Sequence, residues 1–312
     1  MNVIDTHMHI NDECSTKHFR DRKIDEYLDY VEKDEIKFFI PSINPKTIFF
    51  TCDMDCSNNC TELDNKKEKV CPVECKKRDR HRVKVVDGLN GSLIAYCTKC
   101  NKIIYEGIDP FREYNIRLIE LCKIIGNSIP NLVLSLSNST INNEVIYYEK
   151  NFNDLFLGYK LHQTTNMRSI NDIKIIESNR PLLIHCDSHE YDSIDNAVNF
   201  AKRYDGNVIL AHSYLLHNIE IIENVNNIYF DVCPTDNFKI NKNLIKHNQN
   251  FDIYDNIYEA AINYLDEDKI LFGTDWPYGN ISENLEEIKT AKIDEKVKKK
   301  IMSLNAEKAY KL

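Results

Sequence analysis

VIDTHMH (3–9) and KILFGTD (269–275) stand near opposite ends of the sequence and have the same build. Each is an apolar, β-branched run that ends on residues a protein core rejects, His7 and His9 in the first and Asp275 in the second. Six more runs of this kind lie between them: KFFIPSI (37–43), NLVLSLS (131–137), FLGYKLH (156–162), PLLIHC (181–186), NVILAHS (207–213) and NIYFDVC (227–233). Stretches with apolar residues at helical spacing separate several of them, for example DSIDNAVNFAKRY (192–204) and IYEAAINYLD (257–266), and residues 284–312 also read as helical. Eight strand–helix repeats predict parallel strands joined by crossover helices. Eight such units close naturally into a (β/α)8 TIM barrel, an α/β fold. A doubly wound open sheet is disfavoured, because no GxGxxG turn follows the first strand.

One interval exceeds what a single helix requires. About residues 50–107, between the second and third strands, read as an inserted subdomain, so the barrel is expected to comprise 1–49 and 108–312. Loops that follow strands lie on the catalytic face of a barrel, which places the insertion beside the active site. A second long connection, 234–256, is polar and asparagine-rich and is a candidate lid.

The 312 residues are 42% hydrophobic and 29% charged, which excludes a mainly disordered chain. No run of ~18 apolar residues occurs, so no membrane span is expected. MNVIDTHMHI lacks the basic and long apolar segments of a secretory signal, and a cytoplasmic location is the expectation. The net charge of −9 disfavours a general nucleic-acid binder.

The strand ends carry the chemistry. Alternation puts His7 and His9 on one face of the first strand, and Lys160 and His162 on one face of the fourth. His185, His212 and Asp275 end the fifth, sixth and eighth strands. A lone strand-end histidine is more often a hydrogen-bonded rim residue than a ligand. Imidazoles and a carboxylate converging from several strand ends instead suit a borderline divalent cation, typically zinc.

This set resembles the amidohydrolase superfamily. DTHMH (5–9), PLLIHC (181–186), ILAHS (209–213) and LFGTDWP (271–277) look like its metal motifs, and LFGTDWP with LNAEKAYKL (304–312) is most similar to the amidohydrolase-related, or amidohydrolase 2, branch. The resemblance implies that His7, His9, His185 and Asp275 hold a catalytic cation and that Asp275 also takes a proton. His212 is then a ligand for a second metal or a group over the substrate. Lys160 matches a position that in binuclear members carries a carboxylated, bridging lysine, or else it is a plain ammonium. His162 and Trp276 are candidate substrate-binding residues. One or two catalytic divalent metals are implied. Metal-activated hydrolysis of an amide, lactone or related carbonyl bond in a small molecule, anionic ones included, is the leading function, with nonoxidative decarboxylation as the alternative from the same branch. A bound Zn²⁺ lowers the pKa of its water from ~15.7 to about 7 and polarises a carbonyl. The sequence neighbours Asp5 and Asp187 are candidates for orienting the ligands.

The insertion carries a separate signal. Cys71-x3-Cys75 and Cys97-x2-Cys100 form two knuckle-like pairs, and Cys52, Cys56 and Cys60 lie upstream. Four thiolates so spaced resemble a zinc ribbon, and with His81 the seven cysteines could serve one or two structural zinc ions. Residues 61–84 carry nine basic and five acidic side chains, a local positive excess that could attract an anionic substrate. It also keeps a TatD-like nuclease in view, although Gly158-Tyr159-Lys160 departs from the glutamate usual there. A zinc-ribbon binding module on an inactive barrel is the non-enzyme reading. A homo-oligomer is compatible with all of them.

Overall fold

The computed structural model describes residues 2–10, 24–33, 35–44, 83–98, 101, 103–174, 176–186, 190–212, 225–233 and 256–312. The 234–256 connection, Asp187, His81 and six of the seven insertion cysteines (all but Cys97) lie outside these residues or almost wholly so.

All eight expected strands are present. They are β1 (Ile4–Ile10), β2 (Phe38–Ile43), β6 (Asn131–Val133), β7 (Gly158–Leu161), β8 (Leu182–His185), β9 (Val208–Ala211), β10 (Ile228–Asp231) and β11 (Ile270–Leu271). β1 and β2 pair in parallel, and β6 to β11 form a parallel six-stranded sheet in sequence order. Two seams join these pieces into a barrel. Phe39 bridges to Ser128 beside β6, and Met8 bridges to Trp276 beyond β11. The second seam is dense: Thr6 N donates to Phe272 O at 3.0 Å, Asp275 N to His7 O at 2.7 Å and His9 N to Trp276 O at 2.6 Å.

The two shortest strands, β6 and β11, fall furthest short of their apolar runs, for identifiable reasons. β6 stops at Val133, whose N–H and carbonyl are both taken by the Asn115 side chain. β11 stops at Leu271 because Phe272 N donates instead to Ile301 O at 3.1 Å. Ile301 lies in a π-helical turn, Lys300–Leu304, within the terminal helical stretch. Such turns are wider than an α-helix and recur at functional positions.

Side-chain alternation sorts the core into two layers. Ile4, Ile40, Leu183, Ile209, Tyr229 and Leu271 cluster with Ala306, Ala309 and Tyr310. These strand residues start the barrel interior, and the terminal helix (Asn305–Tyr310) closes that end. Their neighbours Met8, Phe39, Leu182, Leu210 and Phe230 join the larger core shared with the surrounding helices.

Within the 50–107 interval, β3 (Val83–Asp87), β4 (Leu93–Cys97) and β5 (Ile103–Gly107) form a three-stranded antiparallel sheet. Val85, Leu93 and Ala95 belong to the main core. Asp87 fastens the sheet to loops that follow barrel strands, accepting from Ser137 Oγ, Asn138 N and both terminal nitrogens of Arg168. The Arg168 guanidinium, with Ser137 and Asn138, holds the Asp87 carboxyl well below the usual carboxylate range. A depressed carboxylate stabilises the fold above its unfolded pKa, and that contribution fades as the pH falls below it. Asp87→Asn is therefore expected to lose roughly 1 kcal/mol near neutrality, the scale of a half-exposed ion pair. In urea unfolding, the gap to wild type should shrink between about pH 5 and pH 2. A gap that stays constant over that range would show that Asp87 acts without its charge.

Candidate metal centre

Three backbone irregularities aim the polar side chains inward. The β1–β2 register slips between Asp5 and Met8. That slip lets Ile4 and then His7 and His9 face the interior, although strict alternation would separate them. On β9, Ile209 and Ala211 face inward, so alternation favours residue 213 next. His212 instead has φ of 75° and turns inward itself. Asp275 has φ of 52°. Non-glycine residues in the left-handed region are costly, and they collect at functional sites.

The result is a compact triad. His7 Nε2 and His9 Nε2 lie 3.3 and 3.2 Å from the same Asp275 oxygen, Oδ1. A tetrahedral ion with bonds of ~2.0–2.2 Å holds its donors about 3.3 Å apart. Two imidazole nitrogens and a carboxylate at this separation fit a divalent cation. All three side chains are buried.

Lys160, fully buried on β7, comes to the same nitrogens: Nζ lies 2.5 Å from His7 Nε2 and 3.1 Å from His9 Nε2. An ammonium only donates, so both Nε2 atoms must accept, and both ring protons belong on Nδ1. The surroundings agree. His7 Nδ1 donates to Asp231 Oδ2 at 2.5 Å, and His9 Nδ1 faces Ser42 Oγ at 3.2 Å and Ile43 O at 3.4 Å. Burial, then the Lys160 charge, holds the His7 pKa well below its ordinary value, so the ring is neutral. Burial raises the Asp231 pKa to about 8, with the Asp275 charge adding to the rise and Lys160 opposing it. Gly273 is required beside this carboxylate, since a Cβ there would stand 2.2 Å from Asp231 Oδ1.

His185 and His212 form a second pair, with Nδ1 of the first 2.9 Å from Nε2 of the second. His212 Nδ1 lies 3.1 Å from Cys233 Sγ and 4.0 Å from Asp275 Oδ2, which links the pair to the triad. Burial lowers the His212 pKa to about 3, so this ring too is neutral. His185 Nε2 lies 3.8 Å from buried Asp192. His162 stacks on His185, ring centroids 3.9 Å apart and planes 14° from parallel. Imidazole lone pairs lie in the ring plane, so two stacked rings cannot aim at one ion; His162 steadies His185 rather than joining it on a metal. Its Nδ1 also accepts from Thr165 N and caps the helix Gln163–Asn166.

Other candidates have structural work. Asp5 faces away from the triad and accepts from Tyr27 OH, Thr274 Oγ1, Thr274 N and His7 N, a knot that ties β1 to the last strand. Trp276 packs on Tyr27, with ring centroids 5.6 Å apart. Tyr278, not singled out from sequence, stands edge-on to His9 at 5.8 Å and contacts Asn44. Asp231 and Cys233 were also not singled out. They continue the inward parity of Tyr229, and a carboxylate at an inward position of NIYFDVC is a readable signal. Asp192 lies in a short turn with no such pattern.

The Amidohydrolase family model matches residues 167–312. The matched part carries β8 to β11 with His185, His212 and Asp275, and it is similar to the family that the motifs on these strands resemble. No curated protein matches the sequence. Several solved structures share the fold. A dihydroxybenzoic acid decarboxylase from Polaromonas sp. JS666, solved with manganese and the inhibitor 2-nitroresorcinol, has a TM-score of 0.60 at 15% identity, covering 100% of this chain and 98% of that one. A 2,6-dihydroxybenzoate decarboxylase from Rhizobium has a TM-score of 0.55 at 14% identity, covering 100% and 99%. A 5-carboxyvanillate decarboxylase from Sphingomonas paucimobilis has a TM-score of 0.56 at 12% identity, again covering 100% and 99%. Among the described residues, no helix is long and apolar enough to cross a membrane.

Proposed function

We propose that the chain is a divalent-metal-dependent enzyme acting on a carboxylate or carbonyl carbon of a small organic molecule. The observation that carries this reading is the convergence of His7 Nε2, His9 Nε2 and Asp275 Oδ1, all buried and at donor–donor spacing for one cation. These three would hold the ion, with His185 and His212 beside it. Zinc is the proposed ion; manganese, present in the Polaromonas enzyme, is the second candidate. When bound, the ion would act as a Lewis acid on the substrate's oxygen. Asp231 and Ser42 keep the ring protons on Nδ1, so that His7 and His9 offer lone pairs. His212, neutral at working pH, would donate or accept a hydrogen bond at substrate without carrying charge. Asp275, shared between the histidine pair and His212, is the acid–base group in reach of both.

Two reactions use this set. The named activities of the structural neighbours favour nonoxidative decarboxylation over hydrolysis. Decarboxylation breaks one C–C bond, releases carbon dioxide and needs a proton at the carbon left behind, a transfer suited to Asp275. Hydrolysis remains the second reading, because the same ligands can serve it. Incubation with hydroxybenzoic acids on one side, and lactones and amides on the other, separates them. Carbon dioxide release without ¹⁸O uptake from labelled water supports decarboxylation, and ¹⁸O in the product supports hydrolysis. Structural zinc in the 50–107 segment stands as a separate proposal resting on cysteine spacing. Cys97, buried at the end of β4, is its one described member.

A further inference from the structure

Lys160 lies in the middle of β7, in register with Val133 on one side and Leu183 on the other, and its carbonyl accepts from Leu134 N. Its backbone is therefore fixed, and any change of position falls to the side chain. The ammonium meets two lone pairs, His7 Nε2 at 2.5 Å and His9 Nε2 at 3.1 Å. Those are the same two lone pairs that converge with Asp275 Oδ1. A lone pair cannot accept from an ammonium and bind a metal at once. A divalent ion in the triad would also stand within a few ångströms of a buried positive charge, where low dielectric makes repulsion strong.

We propose that Lys160 is the resident cation of the metal-free protein: its ammonium holds His7 and His9 ready as ligands and must be displaced when a divalent ion binds. This rests on the reading of the triad as a metal centre. Two consequences follow from the geometry. The ligands stay ordered without metal, because Lys160 takes their lone pairs and fixes their protons on Nδ1, where Asp231 and Ser42 receive them. The affinity for metal is lower than three preorganised ligands alone would give, because charge-assisted hydrogen bonds must first be broken. Lys160 thus sets a threshold of ion concentration below which the site stays closed. A lysine that bridges or ligates the metal would do the reverse, since its removal takes a donor away.

The test is a Co²⁺ titration of the metal-stripped full chain, followed by visible absorption and calorimetry, in wild type, Lys160→Met, Lys160→Gln and His9→Ala. His9→Ala should abolish binding at the barrel mouth and so identifies that site. Lys160→Met is expected to bind Co²⁺ at least about tenfold more tightly than wild type, the equivalent of one charge-assisted hydrogen bond that no longer has to be broken. Without metal it should melt at lower temperature than wild type, because the buried hydrogen bonds from Lys160 to His7 and His9 are lost. Its melting temperature should then rise more on adding Co²⁺. Lys160→Gln should behave in the same direction and serves if the methionine variant folds poorly. Equal or weaker Co²⁺ binding in the lysine variants, with binding still dependent on His9, overturns the displacement model and leaves the metal centre standing. No His9-dependent binding in any of the proteins overturns both.

Discussion

Replacing His7 and His9 together with alanine is expected to strip the barrel mouth of its divalent ion and to lower turnover by about a thousandfold or more. The size follows from what a Lewis-acidic ion supplies, several kcal/mol of transition-state stabilisation at one factor of ten per ~1.4 kcal/mol. The double variant also removes hydrogen bonds from two buried neighbours. Asp231 loses the Nδ1–H it accepts at 2.5 Å, and Lys160 loses its contacts with His7 and His9. Buried hydrogen bonds contribute about 1 kcal/mol each, so a lower melting temperature should accompany the lost activity. Elemental analysis of the intact and variant proteins decides the matter. Zinc that survives the substitution belongs elsewhere, and the cysteine-rich segment is the place to look. Identical metal content in the two proteins would remove the main support for a metal-dependent enzyme.

Asp231→Asn is expected to weaken metal binding about 10- to 100-fold, the usual effect of losing a carboxylate behind a ligating histidine. Asparagine fills the same space and its amide oxygen still accepts from His7 Nδ1, so the ring stays in place, but an amide cannot take up negative charge behind the ring when a cation binds in front of it. The melting temperature of the metal-free protein should change little, because burial already opposes the Asp231 charge. Affinity would then fall without a parallel loss of stability. Unchanged affinity for Co²⁺ in this variant would show that the 2.5 Å contact only packs the ring.

The fold was legible because all eight strands are apolar runs whose polar ends stand out against them. His7, His9, His185, His212 and Asp275 could be found for the same reason. What could not be read were features that depend on tertiary neighbours. Nothing in NLVLSLS announces that Asn115, sixteen residues before it, takes the Val133 N–H and carbonyl and ends the strand. Nothing in LFGTD announces that Ile301 draws Phe272 out of the sheet. His212 reaches the site through a left-handed backbone angle that breaks the alternation used to read the strands. The carboxylates behind the histidines were sought beside them in sequence, at Asp5 and Asp187. The His7 partner instead comes from β10, 224 residues away. Asp5 binds the barrel seam, a role that adjacency could not distinguish from orienting a ligand.

That seam has a consequence for how the protein is made. Thr6 Oγ1 donates to Phe272 O across 266 residues, and His7 and His9 from the first strand share Asp275 from the last. The two halves of the triad are thus among the earliest and latest parts of the barrel to leave the ribosome. Local helices and neighbouring strands can form as they are synthesised, but this contact has to wait for almost the whole barrel. A nascent or prematurely terminated product would hold two histidines, an exposed sheet edge and no competent site. Activity in this architecture certifies a finished barrel.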